Sequence, residues 1–266
     1  MEQELIISTT DLTKIYHMGN SDIFALNRVN LEVHTGQLIT IMGVSGSGKS
    51  TLLHLIGGID DPTAGTVRSC GMVLPELSYH ELADYRRRNV GFVFQFENLS
   101  PILTARENIE LPMRILGLTR EEREKRVNEL LDWVNMKNRA NHPPHALSGG
   151  ERQRIAVLVA LANDPILILA DEPTGELDSE NSGMMAELFR KLNKDFGKTI
   201  LLVTHDPQVG QIGEKILEMR DGRIIGEKQL EKYAYFCPEC TKKPQEVVKY
   251  CSGCGKVVND QDRKKN

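Results

Sequence analysis

Apolar and polar positions follow two rhythms along this chain. Near its start the apolar runs are short: Leu5-Ile6-Ile7, then Ile23-Phe24-Ala25-Leu26, then Val29 to Val33, where apolar and polar residues alternate. A period of two is that of a half-buried strand, so this stretch reads as strands and turns. Gln37 to Met42 and Val90 to Phe94 read as two further buried strands. Ile166 to Ala170 and Thr199 to Thr204 are apolar almost throughout, the pattern of parallel strands covered on both faces. The second rhythm is helical. Thr51 to Ile56 predicts a helix that Gly57-Gly58 ends. Residues 98–162 are mostly helical in pattern. Thr119-Arg-Glu-Glu122 has capping-box spacing, and Val127, Leu130, Leu131 and Val134 share one face of the helix behind it. Asn138 to Pro144 is a polar loop. Met184, Met185, Leu188, Phe189 and Leu192 form a stripe whose plain reading is core packing. Lys215 to Met219 and Arg223 to Ile225, joined across Asp221-Gly222, predict a closing hairpin. Past Glu231 the composition turns to cysteine, lysine and proline.

The chain's 266 residues, 40% of them apolar, are enough for one large α/β domain and a small appendage. No apolar run approaches the ~20 residues that span a bilayer. The acidic start, Met1-Glu2-Gln3-Glu4, is unlike a secretory signal. A cytosolic chain is expected, with any membrane role exerted through another protein. The net charge of −4, from 33 basic and 37 acidic residues, speaks against a nucleic-acid binder by bulk charge.

Candidate chemistry begins at Gly43-Val-Ser45-Gly46-Ser47-Gly48-Lys49-Ser50, followed by Thr51. It lies between a predicted strand and a predicted helix, the context in which backbone N–H groups turn inward around phosphate oxygens. Lys49 supplies positive charge to the outer phosphates, and the Ser50 hydroxyl is a Mg²⁺ ligand type. The bland alternative is a glycine-rich turn with an incidental lysine. Asp171 and Glu172 close an apolar strand. They could simply cap the next segment of chain. Beside a triphosphate cradle, Asp171 would hold Mg²⁺ through water and Glu172 would polarise an attacking water as general base. Leu147-Ser148-Gly149-Gly150-Glu151 reads as a helix start with a capping box. That reading leaves the two glycines unexplained, because they cost helix stability; glycine does let backbone approach an anion closely.

These motifs, in this order and with Asp171-Glu172-Pro-Thr-Gly-Glu176-Leu-Asp178 after the second, resemble the ATP-binding cassette ATPases over residues 4 to 230. The resemblance implies a P-loop NTPase core with an antiparallel β subdomain and a helical subdomain over about 98–162, together making a domain over 1–232. It implies that Gln95 contacts Mg²⁺ and the attacking water, that His205 contacts the γ-phosphate, and that Tyr16 lies under adenine. It places Ser148, Gly149 and Gly150 on the nucleotide held by a second copy's cradle, with Asp178 at the seam of that dimer. Within the family the motifs look like the lipoprotein-releasing, macrolide-export and cell-division type. Two positions depart: Glu176 stands where many relatives have asparagine, and Val159 where many have arginine.

Four of the five cysteines, Cys237, Cys240, Cys251 and Cys254, form two C-x-x-C pairs. In a reducing compartment such pairs read as metal ligands, and four thiolates suit tetrahedral Zn²⁺. Residues 233–266 therefore resemble a zinc ribbon; a redox dithiol pair and a rubredoxin-like iron site share the same ligands. Cys70 reads as an ordinary thiol.

The expected function is the ATPase subunit of a transporter: it binds Mg-ATP, dimerises around two nucleotides, hydrolyses them and drives a separate permease at the inner face of the membrane. The rival is a soluble cassette acting on nucleic acid or ribosomes, for which the basic tail (Lys242, Lys243, Lys249, Lys256, Lys264, Lys265) speaks and the single cassette does not. A mechanical coupler with little turnover is a third reading, against which Glu172 and His205 stand.

Overall fold

In the structure, a computed structural model, residues 4–19, 21–230, 249–250 and 257–258 are described. Two long strands, β1 (Leu5–Met18) and β2 (Ser21–His34), pair antiparallel. The sequence breaks them into fragments because the ladder carries several register shifts, with Asp11 and Arg28 in the left-handed region at φ 46 and 52. An inserted residue resets the in–out parity, so period two does not persist through the strand. The chain continues through β3 (Leu38–Met42), α1 (Lys49–Ile56), β4 (Ala64–Ser69), β5 (Met72–Val73) and α2 (Tyr79–Asn89). The four-stranded antiparallel sheet has the order β2-β1-β4-β5.

After α2 come β6 (Val90–Val93), α3 (Ala105–Leu116), α4 (Arg120–Trp133) and α5 (Gly149–Leu161). Then follow β7 (Leu167–Asp171), α6 (Ser179–Phe196), β8 (Thr199–Thr204) and the short α7 (Pro207–Gly210). β9 (Lys215–Arg220) and β10 (Arg223–Gln229) form the predicted hairpin. The second sheet runs β10-β9-β3-β8-β7-β6, parallel from β9 to β6. Far along the chain, β11 (Lys249–Tyr250) pairs antiparallel with β12 (Val257–Val258).

The parallel sheet is buried on both faces. Ile39, Ile41, Leu167, Leu169, Leu201 and Val203 pack with α1 and the antiparallel sheet. Leu38, Ile168, Ala170, Ile200 and Leu202 pack on the other side with α3 to α6. Adjacent residues thus enter opposite cores, which is why these runs are continuously apolar. β6 differs from its sequence reading: it is an edge strand with Val90 and Phe92 only half-buried. The stripe on α6 is narrower than expected. Met185, Phe189 and Leu192 are buried, Leu188 packs against them, and Met184 is exposed. Residues 98–162 are mostly helical as expected, with short 3-10 turns at Lys137–Arg139 and Pro144–Ala146 bordering the polar loop.

No apolar stripe marks α2, so its periodicity does not announce a helix. Only Tyr85 of its residues is buried. Its hydroxyl donates to Ile56 O at 2.7 Å and shares a hydrogen bond with Ser69 Oγ at 2.8 Å. This one side chain ties α2 to the end of α1 and to β4. Tyr85→Phe keeps the ring but leaves the Ile56 carbonyl and the Ser69 hydroxyl without this partner in a dry core. The variant should lose about 1–3 kcal/mol of stability. In urea, the unfolding midpoint should fall while the slope stays as in the parent.

Candidate nucleotide site

The loop from Gly43 to Gly48 links the end of β3 to α1, and two of its glycines are sterically required. A Cβ on Gly43 would stand 2.2 Å from Met219 O, so the loop's root passes tightly against β9. Gly48 caps α1 at φ 99, and a Cβ there would meet Ala25 O at 2.2 Å. No side chain caps α1. Its first N–H groups therefore have no side-chain partner and can bind an anion. Lys49 is buried, and its Nζ donates to Gly43 O and Val44 O, each at 2.9 Å. Ser47 Oγ is buried with no hydrogen-bond partner. A lysine on backbone carbonyls, an orphaned hydroxyl and an uncapped helix start make a donor-rich cradle that fits phosphate oxygens.

Ser50 Oγ donates to Asp171 Oδ1 at 2.9 Å, joining the loop to the end of β7. These are hard oxygen donors, the ligand type of Mg²⁺. Burial pushes the Asp171 carboxyl above the ordinary carboxylate value; the Ser50 hydrogen bond, His54 and Lys49 oppose this, and Glu172 adds to it. Glu172 turns the chain in the left-handed region at φ 47, an uncommon conformation for a residue with a side chain. Its N–H donates to Val203 O at 2.9 Å. Its Oε2 accepts from the His205 backbone N–H at 3.2 Å and lies 2.8 Å from His205 Nδ1. Gln95 Nε2 comes within 3.2 Å of the point where a Cβ on Gly175 would stand, so it borders the same strand end. A cleft of about 290 Å³ opens beside His205 between Thr174, Gly175 and Gln208. A larger one of about 390 Å³, lined by Arg28 and Arg223, lies along β2 and β10 and includes none of these residues.

Tyr16 lies on β1 with its hydroxyl donating to Asp60 Oδ2 at 2.8 Å, and it remains 38% exposed. Ser148 caps α5 with the reciprocal Glu151 bond that the sequence predicts. Gly150 has a reason within the chain: a Cβ would stand 2.2 Å from Asn181 Oδ1. Asn181 in turn bonds both carboxylate oxygens of Asp178, which caps α6. Gly149 faces no such crowding, its nearest neighbours being 3.8 Å away.

Two further ties have no signature in the sequence. Arg152 Nε donates to Glu97 Oε1 at 3.0 Å, and Gln153 Nε2 donates to Phe94 O at 3.3 Å. They latch the start of α5 to the segment that carries Gln95, and their partners are more than fifty positions apart. Val159 is half-buried against the core, and Glu176 is exposed. Cys70 forms a two-residue turn with Gly71, both left-handed, and burial pushes its thiol up. Cys237, Cys240, Cys251 and Cys254 lie outside the described residues.

Residues 26–175 match the family model described as ABC transporter. The chain belongs to that family. It is 48% identical over 221 residues to an uncharacterized ABC transporter ATP-binding protein of Thermotoga maritima, covering 83% of this chain and 94% of the relative. It is 46% identical over 232 residues to the uncharacterized ABC transporter ATP-binding protein MJ0796 of Methanocaldococcus jannaschii, covering 86% and 99%. A dimeric structure of MJ0796 in a post-hydrolysis state bound to ADP and Pi superposes with a TM-score of 0.80, at 44% identity, over 86% of this chain and all of that one. The structure of cbiO1 from Clostridium perfringens, part of the ABC transporter complex cbiONQ, gives 0.77 at 26% identity, over 85% and 89%. The chain is thus an ATP-binding, ATP-hydrolysing subunit of the ABC transporter class.

The raised Asp171 value has a consequence for stability. The folded chain binds a proton here more readily than the unfolded chain. The stabilisation this gives is present below the ordinary carboxylate value and is lost as pH rises through the folded value. Asp171→Asn removes the buried charge and keeps an acceptor for Ser50. In nucleotide- and magnesium-free buffer it should be more stable than the parent at pH 7, and the gap should close as pH falls towards about 4. Thermal unfolding across that range checks the sign.

Proposed function

We propose that two copies of this chain close around two Mg-ATP, hydrolyse them and separate, and that this cycle drives a separately encoded permease. The observation that carries the reading is the Ser50–Asp171 hydrogen bond, because it joins the phosphate loop to the strand end whose next residue, Glu172, is held against His205. Gly43, Ser45, Gly46, Ser47, Gly48 and Thr51 belong to the loop and helix start that hold the phosphates. Lys49 exchanges its backbone carbonyls for phosphate oxygens. Ser50, Asp171 and Gln95 hold Mg²⁺, whose contribution is to neutralise charge on the transferring phosphoryl group. Glu172 takes a proton from the attacking water, and His205 keeps that carboxylate aimed and contacts the γ-phosphate. Ser148, Gly149 and Gly150 serve the partner copy's nucleotide, and Asp178 lies at the seam. Ser148 is exposed, and its side chain bonds only Glu151 among the described residues, which leaves it accessible to a second chain. The dimeric MJ0796 structure supports pairing.

Permease docking falls to the segment after Gln95. Phe96, Ile102, Leu111 and Ile115 stand exposed there, large apolar side chains that a partner would cover. Among the described residues no helix is long and apolar enough to cross a membrane. The chain would work in the cytoplasm, at the inner membrane face. The domain would span 1–232. The four tail cysteines would hold one Zn²⁺ within 233–266. Their thiolate chemistry supports this, as does the β11–β12 ladder, which brackets the stretch of sequence carrying Cys251 and Cys254.

Glu172→Gln should bind ATP, turn over slowly and accumulate as an ATP-bound dimer in size measurements. Ser148→Arg should bind ATP as a monomer and fail to pair. A Glu172→Gln chain that stays monomeric at saturating Mg-ATP would remove the sandwich model.

Elemental analysis of the full chain should find one zinc per chain. Truncation after Lys232 should abolish that zinc and leave basal ATP hydrolysis within about twofold, since P-loop chemistry needs no tail residue. Iron, or no stoichiometric metal, would refute the zinc assignment.

A further inference from the structure

Tyr16 is held in place more firmly than an exposed aromatic on a strand needs to be. Lys14 and Tyr16 are two residues apart on β1 and so share a face. Both reach the turn that follows α1. Lys14 Nζ donates to Asp60 Oδ1 at 2.6 Å and to Asp61 O at 2.7 Å. Tyr16 Oη takes the other oxygen, Asp60 Oδ2, at 2.8 Å. Each carboxylate oxygen thus has its own donor, and Oδ1 also accepts from Asp61 N–H. The Lys14 ammonium stands over the Tyr16 ring, 5.0 Å from its centroid, which is cation–π range. Lys14 is nearly buried, with 13% of its side chain exposed.

The ring is therefore covered on one face by Lys14 and pinned at its hydroxyl, yet remains 38% exposed. Its anchor is Asp60, in the turn that directly follows α1. α1 is the helix whose uncapped start forms part of the phosphate cradle. The clamp thus sets the ring at a fixed offset from that cradle. Burial works against the Asp60 carboxylate, but the hydrogen bonds from Lys14 and Tyr16 outweigh it and hold its pKa below the ordinary value. Asp60 therefore keeps its negative charge at working pH.

We infer that Asp60, braced by Lys14, is a positioning residue for Tyr16: it immobilises the ring so that its open face is presented, already oriented, to the base of a nucleotide held at the phosphate loop. The inference rests on Tyr16 being the base-stacking residue. Fixing the ring before binding removes an ordering cost that would otherwise reduce affinity.

The test uses equilibrium binding to the full chain, without turnover, by calorimetric titration with ADP and with tripolyphosphate, which has no base. Tyr16→Phe removes only the hydroxyl, and Asp60→Ala removes only the clamp. Each should weaken ADP about 2- to 10-fold, from one freed side chain, and leave tripolyphosphate unchanged. The double variant should be no weaker than Tyr16→Phe alone, because both break one linkage. Tyr16→Ala should weaken ADP more than either. If Tyr16→Ala weakens ADP while Tyr16→Phe and Asp60→Ala bind like the parent, the clamp is wrong and the stacking role stands. If Tyr16→Ala leaves ADP unchanged, the stacking role falls and the inference falls with it. Loss of ADP and tripolyphosphate together would show that Asp60 acts on the fold or the loop, and would overturn the inference.

Discussion

Burial of both faces of the parallel sheet constrains almost everything else in this molecule. Strands that enter two cores at once leave no room for charged side chains along their buried length, and room for few polar ones, such as Thr40 in β3. Along β3, β7 and β8 the charged groups appear where the strands stop, at one end. Gly43 follows β3, Gln95 lies just past β6, Asp171 closes β7, and His205 follows β8. In open α/β sheets the carboxyl ends of parallel strands are where ligands bind. Four elements distant in sequence thereby deliver a loop, a carboxylate pair, an amide and an imidazole to one edge. Their mutual bonds, Ser50 to Asp171 and Glu172 to His205, follow from that placement.

A second set of ties runs between helices. A Cβ on Gly150 would press on the Asn181 side chain, and Asn181 holds Asp178. Arg152 and Gln153, at the start of α5, reach the segment bearing Gln95. The Ser148 motif is thus braced from two directions by its own chain, at α6 and at the end of β6. Displacement of either brace would shift the serine that the proposed dimer presents to the partner.

Most of the parallel core is legible in the sequence because continuous apolar runs have one comfortable home, and the phosphate loop because its residues carry their own context. The capping boxes at Thr119 and Ser148 stand out beside clear helical or glycine-rich patterns. Those at Ser78 and Thr104 have the same S/T-x-x-E spacing and go unmarked by any such neighbour. α2 escapes because one buried tyrosine does not make a periodicity. β1 and β2 appear as fragments because bulges erase alternation. The clamp of Lys14, Asp60 and Tyr16 is invisible for another reason: its members lie 46 and 44 positions apart, and nothing local distinguishes Asp60 from a surface aspartate.

The bulged edge of the antiparallel sheet carries one more consequence. β2 is 14 residues long and lies at the sheet's border. A straight free border of that length would be a template on which another chain could add a strand, the first step towards aggregation. The left-handed kink at Arg28 interrupts the row of free donors and acceptors, and the neighbouring Asn27 N–H is already spent on Gly222 O at the tip of the β9–β10 hairpin. What remains is two short stretches in place of one long one, with the charges of Asp22 and Glu32 exposed along them. The irregularity that hides β2 from a reading of the sequence is also what keeps its border from recruiting strangers.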